Sequence, residues 1–349
     1  MKKFIKGFSM LALVFALLLG SITGYTYSLS NGGSSNDMET QIELLNMLFN
    51  HSPSDLARII PFGLDGEQTE IPNVVLVALP ETEGEMFFIA IDNEVTPEAV
   101  DFILSFTGIS REKADIAQLL NEVVEIGPEI VDELYNGFHP NFFNSDSEIL
   151  YSFDSSETRQ IFGGIVMMGQ IINIPGVGSM TLGHPNNVAG SRFFTAPHRV
   201  LATGTRVNQG TTQIGTITRS LFGGNRDVAE VAVGNGVGQV SPVVPWANRN
   251  ITNFRGNATN GMSVRSIRGL SGVVTTRIEN ANFSFTASGL TWTNMILTYP
   301  NVRSQEGDSG SALIHTSGTT ETVLGTRRSR LEFADGRVMG VYTRVQNYN

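Results

Sequence analysis

The chain has 349 residues, enough for roughly two domains of about 150 residues each. A hydrophobic content of 41% together with 37 glycines is typical of a globular, turn-rich protein and excludes wholesale disorder. The chain contains no cysteine, which excludes disulfides, thiolate zinc sites and a catalytic thiol.

The formal net charge of −10 conceals a division between two parts of the sequence. Residues 1–160 carry a net charge of −18. Residues 161–349 contain arginines but no lysine and carry a net charge of +8. Such an asymmetry indicates two functional parts. Two interpretations stay open: unrelated adaptation of two surfaces, or complementary charges through which the two parts face each other.

The N-terminus has the layout of a secretory signal peptide, which we assign to residues 1–28. Residues 1–6 are basic, residues 11–19 are apolar, and residues 20–24 are small and polar. The apolar run is about half the ~20 residues that a membrane-spanning helix needs. We therefore expect a secreted, extracellular protein with no membrane segment in its mature form.

Residues 29–160 form an acidic segment that is predicted to fold as a small α+β unit. The predicted strands and helices are residues 73–79 and 86–91, then 97–106 and 111–124. Thr96 and Ser110 are suitable N-caps for the two helices.

From residue 161 onwards, short β-type runs alternate with Gly, Asn, Thr and Ser turns. The predicted strands are residues 200–207, 212–220, 227–233, 272–279, 295–299, 311–315, 322–327 and 337–345. Asp335-Gly336 is a hairpin signal. Many short strands without a long helical pattern predict an all-β sandwich or a pair of barrels.

The stretch that points to chemistry is Glu306-Gly307-Asp308-Ser309-Gly310-Ser311. Because glycine has no Cβ, the chain can turn sharply here and expose both the Ser309 hydroxyl and the Gly307 and Ser309 amides. Such amides can bind a developing oxyanion. A nucleophilic serine also needs a histidine base and a buried carboxylate that orients the histidine.

Three histidines, His184, His198 and His315, lie in the β-rich part. His198 ends an apolar run and suits a base held at the rim of a barrel, whereas His184 and His315 can be read as surface residues. The same part has three aspartates: Asp227, Asp308 and Asp335.

The three aspartates differ in their sequence context. Asp308 belongs to the serine turn, where a structural role through a charge partner is expected, and Asp335 belongs to the hairpin. Asp227 heads an alternating strand, where a charge is usually solvated, but elimination leaves it as the carboxylate that orients the histidine.

The resulting order of His198, Asp227 and Ser309 resembles that of the chymotrypsin-like serine proteases. Four segments resemble motifs of that family: residues 194–198, 227–229, 307–310 and 340–345. The short gaps between the three residues are similar to those of the compact, secreted bacterial branch of the α-lytic protease and streptogrisin type.

This resemblance implies two antiparallel six-stranded β-barrels with the site between them, formed by residues 161–349. It also implies that residues 29–160 are a pro-region, an intramolecular partner that assists folding or blocks the site until it is removed. The implied activity is a serine endopeptidase that acts on protein or peptide substrates without a cofactor or metal.

In that family's scheme Ser309 is the nucleophile, His198 the base and Asp227 the residue that orients it. The Gly307 and Ser309 amides form the oxyanion hole. One departure from the family pattern is Pro197, which replaces the usual small residue before the histidine and is expected to shift the local backbone.

Substrate-binding residues implied by the resemblance are Arg303 and Ser304, along the wall of the S1 pocket, and Arg327, on a strand beside the substrate. If the arginines point inward, they favour an acidic P1 side chain; the alternative is that they point to solvent.

Three other functions are nucleic-acid binding, non-catalytic protein binding and ester hydrolysis. The positive charge of residues 161–349 is spread out and accompanied by no nucleic-acid motif, so no nucleic-acid partner is expected. A non-catalytic binding or adhesion protein on the same scaffold is the alternative from another class, because a fold alone does not guarantee chemistry. An acyl-transferring esterase would use the same residues.

Overall fold

The computed structural model describes residues 38–59, 71–80, 86–121, 166–187, 191–234, 240–241, 243–244, 249–287, 289–300 and 306–348. The chain divides into two compact units, with the division between Gln118 and Leu119. The predicted signal peptide and the predicted boundary at residue 160 lie outside the described residues. Within the described ranges, no helix is long and apolar enough to cross a membrane.

The first unit combines helices with a small sheet. Its elements are α1 (Met38–Asn50), α2 (Pro53–Ile59), β1 (Val74–Ala78), β2 (Phe87–Ile91), α3 (Pro97–Thr107) and β3 (Ala114–Asn121), the last of which continues past residue 118. Strands β1 and β2 are antiparallel, whereas β2 and β3 are parallel. Apolar residues of the helices and strands form one core cluster, so this unit has a hydrophobic core of its own.

Helix α3 begins at the predicted residue, Pro97, and ends at Thr107, one residue beyond the predicted end. The Thr96 hydroxyl accepts a hydrogen bond from the Ala99 amide at 3.2 Å, and Pro97 occupies the first turn. Gly108 ends the helix in the left-handed conformation, with φ of 67°.

The predicted helix at residues 111–124 is wrong. A single 3₁₀ turn at Arg111–Lys113 is followed by strand β3, in which Ile116 lies opposite Ile89 of β2. The local sequence suits a helix, but pairing with β2 satisfies the backbone and buries Ile116 and Ala117. Tertiary pairing outweighs local propensity here.

The first barrel of the second unit is built from six antiparallel strands in the order β6-β5-β8-β9-β10-β7. Their bounds are β5 (Ile171–Ile174), β6 (Gly178–Thr181), β7 (Arg192–Thr195), β8 (Arg206–Gln209), β9 (Thr212–Gly223) and β10 (Arg226–Val233). The segment after β6 closes the ring, because Gly183 donates to the Phe194 carbonyl and Phe194 donates to the His184 carbonyl.

The second barrel also has six antiparallel strands. They are β14 (Ser263–Arg268), β15 (Gly272–Ala287), β16 (Leu290–Tyr299), β17 (Ala312–Ser317), β18 (Thr320–Phe333) and β19 (Val338–Arg344). Consecutive pairings run β14-β15-β16-β19-β18-β17 and return to β14, so the ring is closed. The predicted fold class, two antiparallel six-stranded β-barrels preceded by an α+β segment, is confirmed.

Four short strands complete the described elements of the second unit. They are β4 (Val166–Met167), β11 (Val240–Ser241), β12 (Val243–Val244) and β13 (Arg249–Asn250). Strand β4 pairs in parallel with β11, and β12 pairs with β13 in antiparallel fashion. A further 3₁₀ turn, Val345–Tyr348, follows β19.

One hydrophobic cluster draws on both barrels. It includes Val207, Ile217 and Val231 from the first barrel and Ile267, Ile314 and Val323 from the second. Because protein interiors are close-packed, a shared core fixes the two barrels against each other and therefore fixes the side chains at their junction.

The predicted strand at residues 200–207 is only partly correct. Residues 200–205 form a turn, in which the Thr205 amide and hydroxyl both donate to the Ala202 carbonyl. Val200 is 66% exposed and supplies no core contact. Val200 therefore belongs to a surface turn, whereas Leu201 packs against the core cluster, and β8 begins at Arg206.

We expect Ile217→Ala to lower the free energy of unfolding by about 2–5 kcal/mol, because it removes a fully buried side chain from the shared core. The matched control is Val200→Ala, which should change stability by less than about 0.5 kcal/mol. Urea denaturation of both variants measures the difference. Equal stabilities of the two variants would contradict the assignment of Ile217 to the core.

Candidate active site

The three residues that the sequence singles out come together where the two barrels meet. His198 follows strand β7 of the first barrel, and Ser309 lies in the turn that precedes β17 of the second barrel. His198 Nε2 lies 2.8 Å from Ser309 Oγ. Residues 111 positions apart are thus within hydrogen-bonding distance.

Asp227, the second residue of β10, completes the group. Strands β7 and β10 are antiparallel neighbours with Ala229 opposite Thr195, so Asp227 comes beside the segment that continues β7 into His198. Asp227 Oδ1 accepts from the His198 amide at 3.1 Å, and Oδ2 lies 3.1 Å from His198 Nδ1. The Nδ1 contact lacks the alignment of a good hydrogen bond, so it is chiefly electrostatic.

The two side chains differ in their access to water. Asp227 has no exposed surface, whereas the His198 side chain is 13% exposed. A buried carboxylate beside one ring nitrogen favours the imidazole tautomer that carries its proton at Nδ1, which leaves Nε2 as an acceptor toward Ser309.

His198 adopts the left-handed backbone conformation, with φ of 59°. Non-glycine residues rarely do so, although histidine is among those enriched there, and such conformations occur at functional sites. In this conformation the His198 amide donates to Asp227 while the ring reaches Ser309. Pro197, the departure noted in the sequence, directly precedes this unusual residue and does not prevent the ring from reaching the hydroxyl.

The Ser309 hydroxyl has three acceptors within reach and no solvent-exposed surface. Besides His198 Nε2, Oγ lies 2.8 Å from the Ala196 carbonyl and 3.3 Å from the Arg328 carbonyl. A hydroxyl has a single proton, so it can donate to only one of these acceptors at a time. Rotation about the Cβ–Oγ bond of Ser309 therefore decides whether the hydroxyl proton points to the imidazole.

Backbone hydrogen bonds hold the serine turn against both barrels. The Gly310 amide donates to the Arg327 carbonyl at 2.9 Å, and the Thr181 amide donates to the Ser309 carbonyl at 2.7 Å. A Cβ at position 310 would lie 2.1 Å from the Thr181 carbonyl oxygen and 2.4 Å from Thr195 Oγ1, and φ is 93°. Only glycine satisfies both conditions.

Asp308 holds the turn from another side. Its Oδ1 accepts from the Leu270 amide at 3.4 Å and from the Ser271 amide at 3.2 Å, and the Ser271 hydroxyl donates to Oδ2. The side chain is fully buried. These contacts with backbone amides and a hydroxyl give Asp308 a structural place in the site.

The amides of Gly307 and Ser309 are the predicted oxyanion donors. Among the described residues, no backbone carbonyl accepts a hydrogen bond from either amide. Gly307 has φ of 93°, and its own carbonyl accepts from the Thr181 hydroxyl at 2.7 Å. The assignment of these amides to an oxyanion hole stays a prediction.

Of the predicted substrate-binding residues, Arg303 and Ser304 lie outside the described residues. Arg327 is fully buried, and its Nη1 donates to the Tyr342 hydroxyl at 2.9 Å. The Tyr342 hydroxyl in turn donates to Ser266 Oγ at 3.1 Å. The alternative that the arginine points to solvent is therefore wrong for Arg327.

A second buried arginine, Arg268, belongs to the same cluster, which we call the arginine–tyrosine cluster (Ser266, Arg268, Arg327 and Tyr342). Burial by itself raises the pKa of Tyr342, but the charges of Arg327 and Arg268, together with the hydrogen bonds of Tyr342 to Ser266 and Arg327, outweigh it and lower that pKa. The sequence motifs point to neither Arg268 nor Tyr342 as a site residue.

Arg328 lies next to Asp227. The register of β18 against β19 shifts between Arg327 and Ser329, which marks a bulge. A bulge re-aims side chains, and here two successive arginines are both buried. Arg328 Nε lies 3.4 Å from Asp227 Oδ2, a neighbour that the sequence analysis missed.

The other two histidines are held elsewhere. His184 is buried rather than at the surface, contrary to its sequence interpretation, because it packs on Phe194 and Tyr348 with ring centroids 5.1 and 5.8 Å away. Burial lowers the pKa of His184 to about 4. His315 Nδ1 contacts the Ser263 carbonyl at 2.8 Å.

Across the part of the chain that the structure describes, no group of three or more His, Cys, Asp or Glu side chains is arranged to hold a metal ion.

No family model and no curated protein matches the chain. Among solved structures, it is similar to the Nocardiopsis protease NAPase (21% identity, TM-score 0.42) and to Thermobifida fusca protease A (21%, 0.42). It is also similar to Cellulomonas bogoriensis chymotrypsin (24%, 0.41). Each match covers 52% of this chain and 92–93% of the other. At these identities and TM-scores the similarity assigns no activity to this chain.

The buried His184 predicts a pH dependence of stability. The unfolded chain binds a proton here below about pH 6.5, whereas the folded chain does not until about pH 4, so the free energy of unfolding falls as the pH falls between these values. The fall amounts to about 3 kcal/mol at 1.36 kcal/mol per pKa unit. His184→Asn, which removes the titrating group, should reduce this slope in urea denaturation; an unchanged slope would contradict it.

Proposed function

We propose that the second unit is a serine endopeptidase in which Ser309, His198 and Asp227 act as nucleophile, base and orienting carboxylate. The observation that carries the proposal is the 2.8 Å contact between His198 Nε2 and Ser309 Oγ, made while Asp227 Oδ2 lies 3.1 Å from Nδ1 of the same ring. Three groups of the required kinds meet in the required order although they come from different barrels.

The proposed reaction begins with attack of Ser309 Oγ on the carbonyl carbon of a peptide bond. The hydroxyl proton passes to His198 Nε2, and the same proton is then given to the leaving amine as the C–N bond breaks. Water repeats the sequence on the resulting ester and releases the acid and the free hydroxyl. Asp227 stabilises the imidazolium that forms in each half of the reaction and remains ionised.

The Gly307 and Ser309 amides are proposed to bind the oxygen that becomes negative in the tetrahedral intermediate. Support comes from the turn itself: Gly310 and Thr181 hold it from both sides, and φ of 93° at Gly307 is open to glycine alone. Loss of one oxyanion donor typically lowers kcat by about 10²–10³.

Residues 29–160 are proposed to be a pro-region of a secreted zymogen, and residues 1–28 its export signal. The supporting observations are the separate hydrophobic core of the first unit and the charges of −18 and +8 on residues 1–160 and 161–349. Opposite charges favour association between the parts. N-terminal sequencing of the secreted protein should give a sequence that begins near residue 160, and a secreted form that retains residues 29–160 would contradict processing.

We also propose that the S1 pocket prefers an acidic P1 side chain and that the arginine–tyrosine cluster binds it. The Arg327 carbonyl accepts a hydrogen bond from the Gly310 amide of the serine turn, and the Arg327 side chain contacts Tyr342 of the second barrel. A guanidinium binds a carboxylate through two parallel charge-assisted hydrogen bonds, which is the pairing an acidic P1 side chain would make with Arg327. Gly340 leaves room for the guanidinium itself, since a Cβ there would lie 2.7 Å from Arg327 Nη1.

A fluorophosphonate probe tests the nucleophile. We expect covalent labelling of the secreted protein at Ser309, with complete loss of labelling in Ser309→Ala and a loss of at least about 10³-fold in rate in His198→Ala. Peptide mapping by mass spectrometry locates the adduct.

Ser311→Ala provides a control for the labelling, because it removes a neighbouring hydroxyl that donates to the Asp308 carbonyl instead. This variant should still be labelled at Ser309. A folded, processed protein that carries no Ser309-dependent label would favour the non-catalytic binding protein over the hydrolase.

Peptide substrates that differ only at P1 test the specificity. We expect kcat/KM for Glu to exceed that for Phe and for Arg, and Arg327→Met to reduce the Glu value by at least about 30-fold, because a carboxylate would lose a buried charged partner. Arg337→Met, on an exposed hairpin, is the matched control and should leave the preference unchanged. A preference for Arg at P1 would contradict the assignment.

A further inference from the structure

Asp227 has a cationic neighbour besides His198. Arg328 Nε lies 3.4 Å from Asp227 Oδ2, the same oxygen that faces His198 Nδ1 at 3.1 Å. The Arg328 side chain is 6% exposed and that of Asp227 is fully buried, so water screens this ion pair little. One carboxylate oxygen is therefore shared between an arginine and the imidazole.

The guanidinium is held in place by aromatic rings. Arg328 Cζ lies over the Trp292 ring, 4.1 Å from its centroid, and is 5.7 Å from the centroid of the Phe285 ring. Phe222, opposite Asp227 on the neighbouring strand, packs edge-on against Trp292 at 5.2 Å. Desolvated contacts between a cation and aromatic faces are favourable, and the planar group is fixed in orientation.

The backbone of the same residue reaches the nucleophile. The Arg328 carbonyl lies 3.3 Å from Ser309 Oγ, and the preceding carbonyl, that of Arg327, accepts from the Gly310 amide. Arg328 therefore contacts the nucleophile through its backbone and the orienting carboxylate through its side chain. The bulge in β18 makes both contacts possible from one residue.

We propose that Arg328 is a positioning residue that holds the Asp227 carboxylate aimed at His198; this inference rests on the proposed function. A buried carboxylate is costly unless it is paired and hydrogen-bonded. Among the described contacts of Asp227, Arg328 supplies the only permanent positive charge, because the imidazole must be neutral to accept the Ser309 proton. When the imidazolium forms, the carboxylate is already in place to stabilise it.

Burial also acts on the arginine. It lowers the pKa of the Arg328 guanidinium, and the negative charge of Asp227 opposes that shift. The two groups thus stabilise each other's charged forms in a site that neither could occupy alone at low cost.

The test compares Arg328→Gln with Arg328→Lys, each expressed as the full chain with wild-type protein alongside. Arg328→Gln keeps a polar, hydrogen-bonding side chain but removes the charge, and should lower kcat and the rate of fluorophosphonate labelling by about 10–100-fold with KM within about twofold, because the loss falls on the transition state. Arg328→Lys retains the charge and should recover at least about threefold of that loss.

Arg337→Gln is the matched control, because this arginine also pairs with an aspartate, Asp335 at 2.7 Å, and lies 4.3 Å from the centroid of an aromatic ring, Phe333, but on an exposed hairpin. It should label at the wild-type rate. Rates are normalised to the folded fraction from urea denaturation, and Arg328→Lys decides the matter if Arg328→Gln does not fold.

The outcomes separate the two proposals. Wild-type protein that is not labelled at Ser309 would overturn the proposed function, and this inference with it. Labelled wild-type protein with a folded Arg328→Gln variant that reacts within about twofold of its rate would overturn only the role of Arg328. Equal losses of kcat in Arg328→Gln and Arg328→Lys would show that Arg328 contributes packing rather than charge. That result would also overturn the proposed role of Arg328.

Discussion

The contact between the His198 imidazole and the Ser309 hydroxyl joins two barrels that could otherwise be described separately. His198 belongs to the first barrel and Ser309 to the second, yet Nε2 and Oγ lie 2.8 Å apart. Proton transfer requires this distance to within a few tenths of an ångström. The shared hydrophobic cluster, with Ile217 on one side and Ile314 on the other, therefore matters for chemistry as well as for stability.

The short distance between His198 Nε2 and Ser309 Oγ also depends on the local backbone conformation. The serine turn fits only because Gly310 approaches the Thr181 carbonyl and Thr195 closely, which ties it to the strands that lead to His198. His198 itself adopts a left-handed conformation, which costs about 1–3 kcal/mol. In this conformation its amide donates to Asp227 while its ring contacts Ser309. Strain of this kind persists where the surrounding structure over-determines it.

The sequence predicts those parts of the site that depend on contiguous residues. Ser309 is evident from the glycines around it, and His198 and Asp227 follow from their residue types and order. Arg328 and Arg268 are not predictable in this way. Their positions depend on a bulge in β18 and on the register of separate strands, and period-2 alternation would place Arg327 and Arg328 on opposite faces with one exposed.

The same distinction explains the fold predictions. Helix α3 is predicted correctly because its cap, Thr96, and its terminator, Gly108, are local signals. Strand β3 is predicted as a helix because its conformation is decided by pairing with β2, a partner far away in sequence. Burial of His184 is not predictable for a similar reason, since Tyr348, one of the two rings that cover it, comes from a distant position in the sequence.

The central claim is that Ser309 and His198 act as one chemical unit. A double-mutant cycle on kcat/KM with Ser309→Ala, His198→Ala and the combined variant tests it directly. If the two residues share one proton transfer, the combined variant is no slower than either single variant, because each substitution alone already abolishes the step. Losses that multiply in the combined variant would show that the two side chains act independently and would contradict the account.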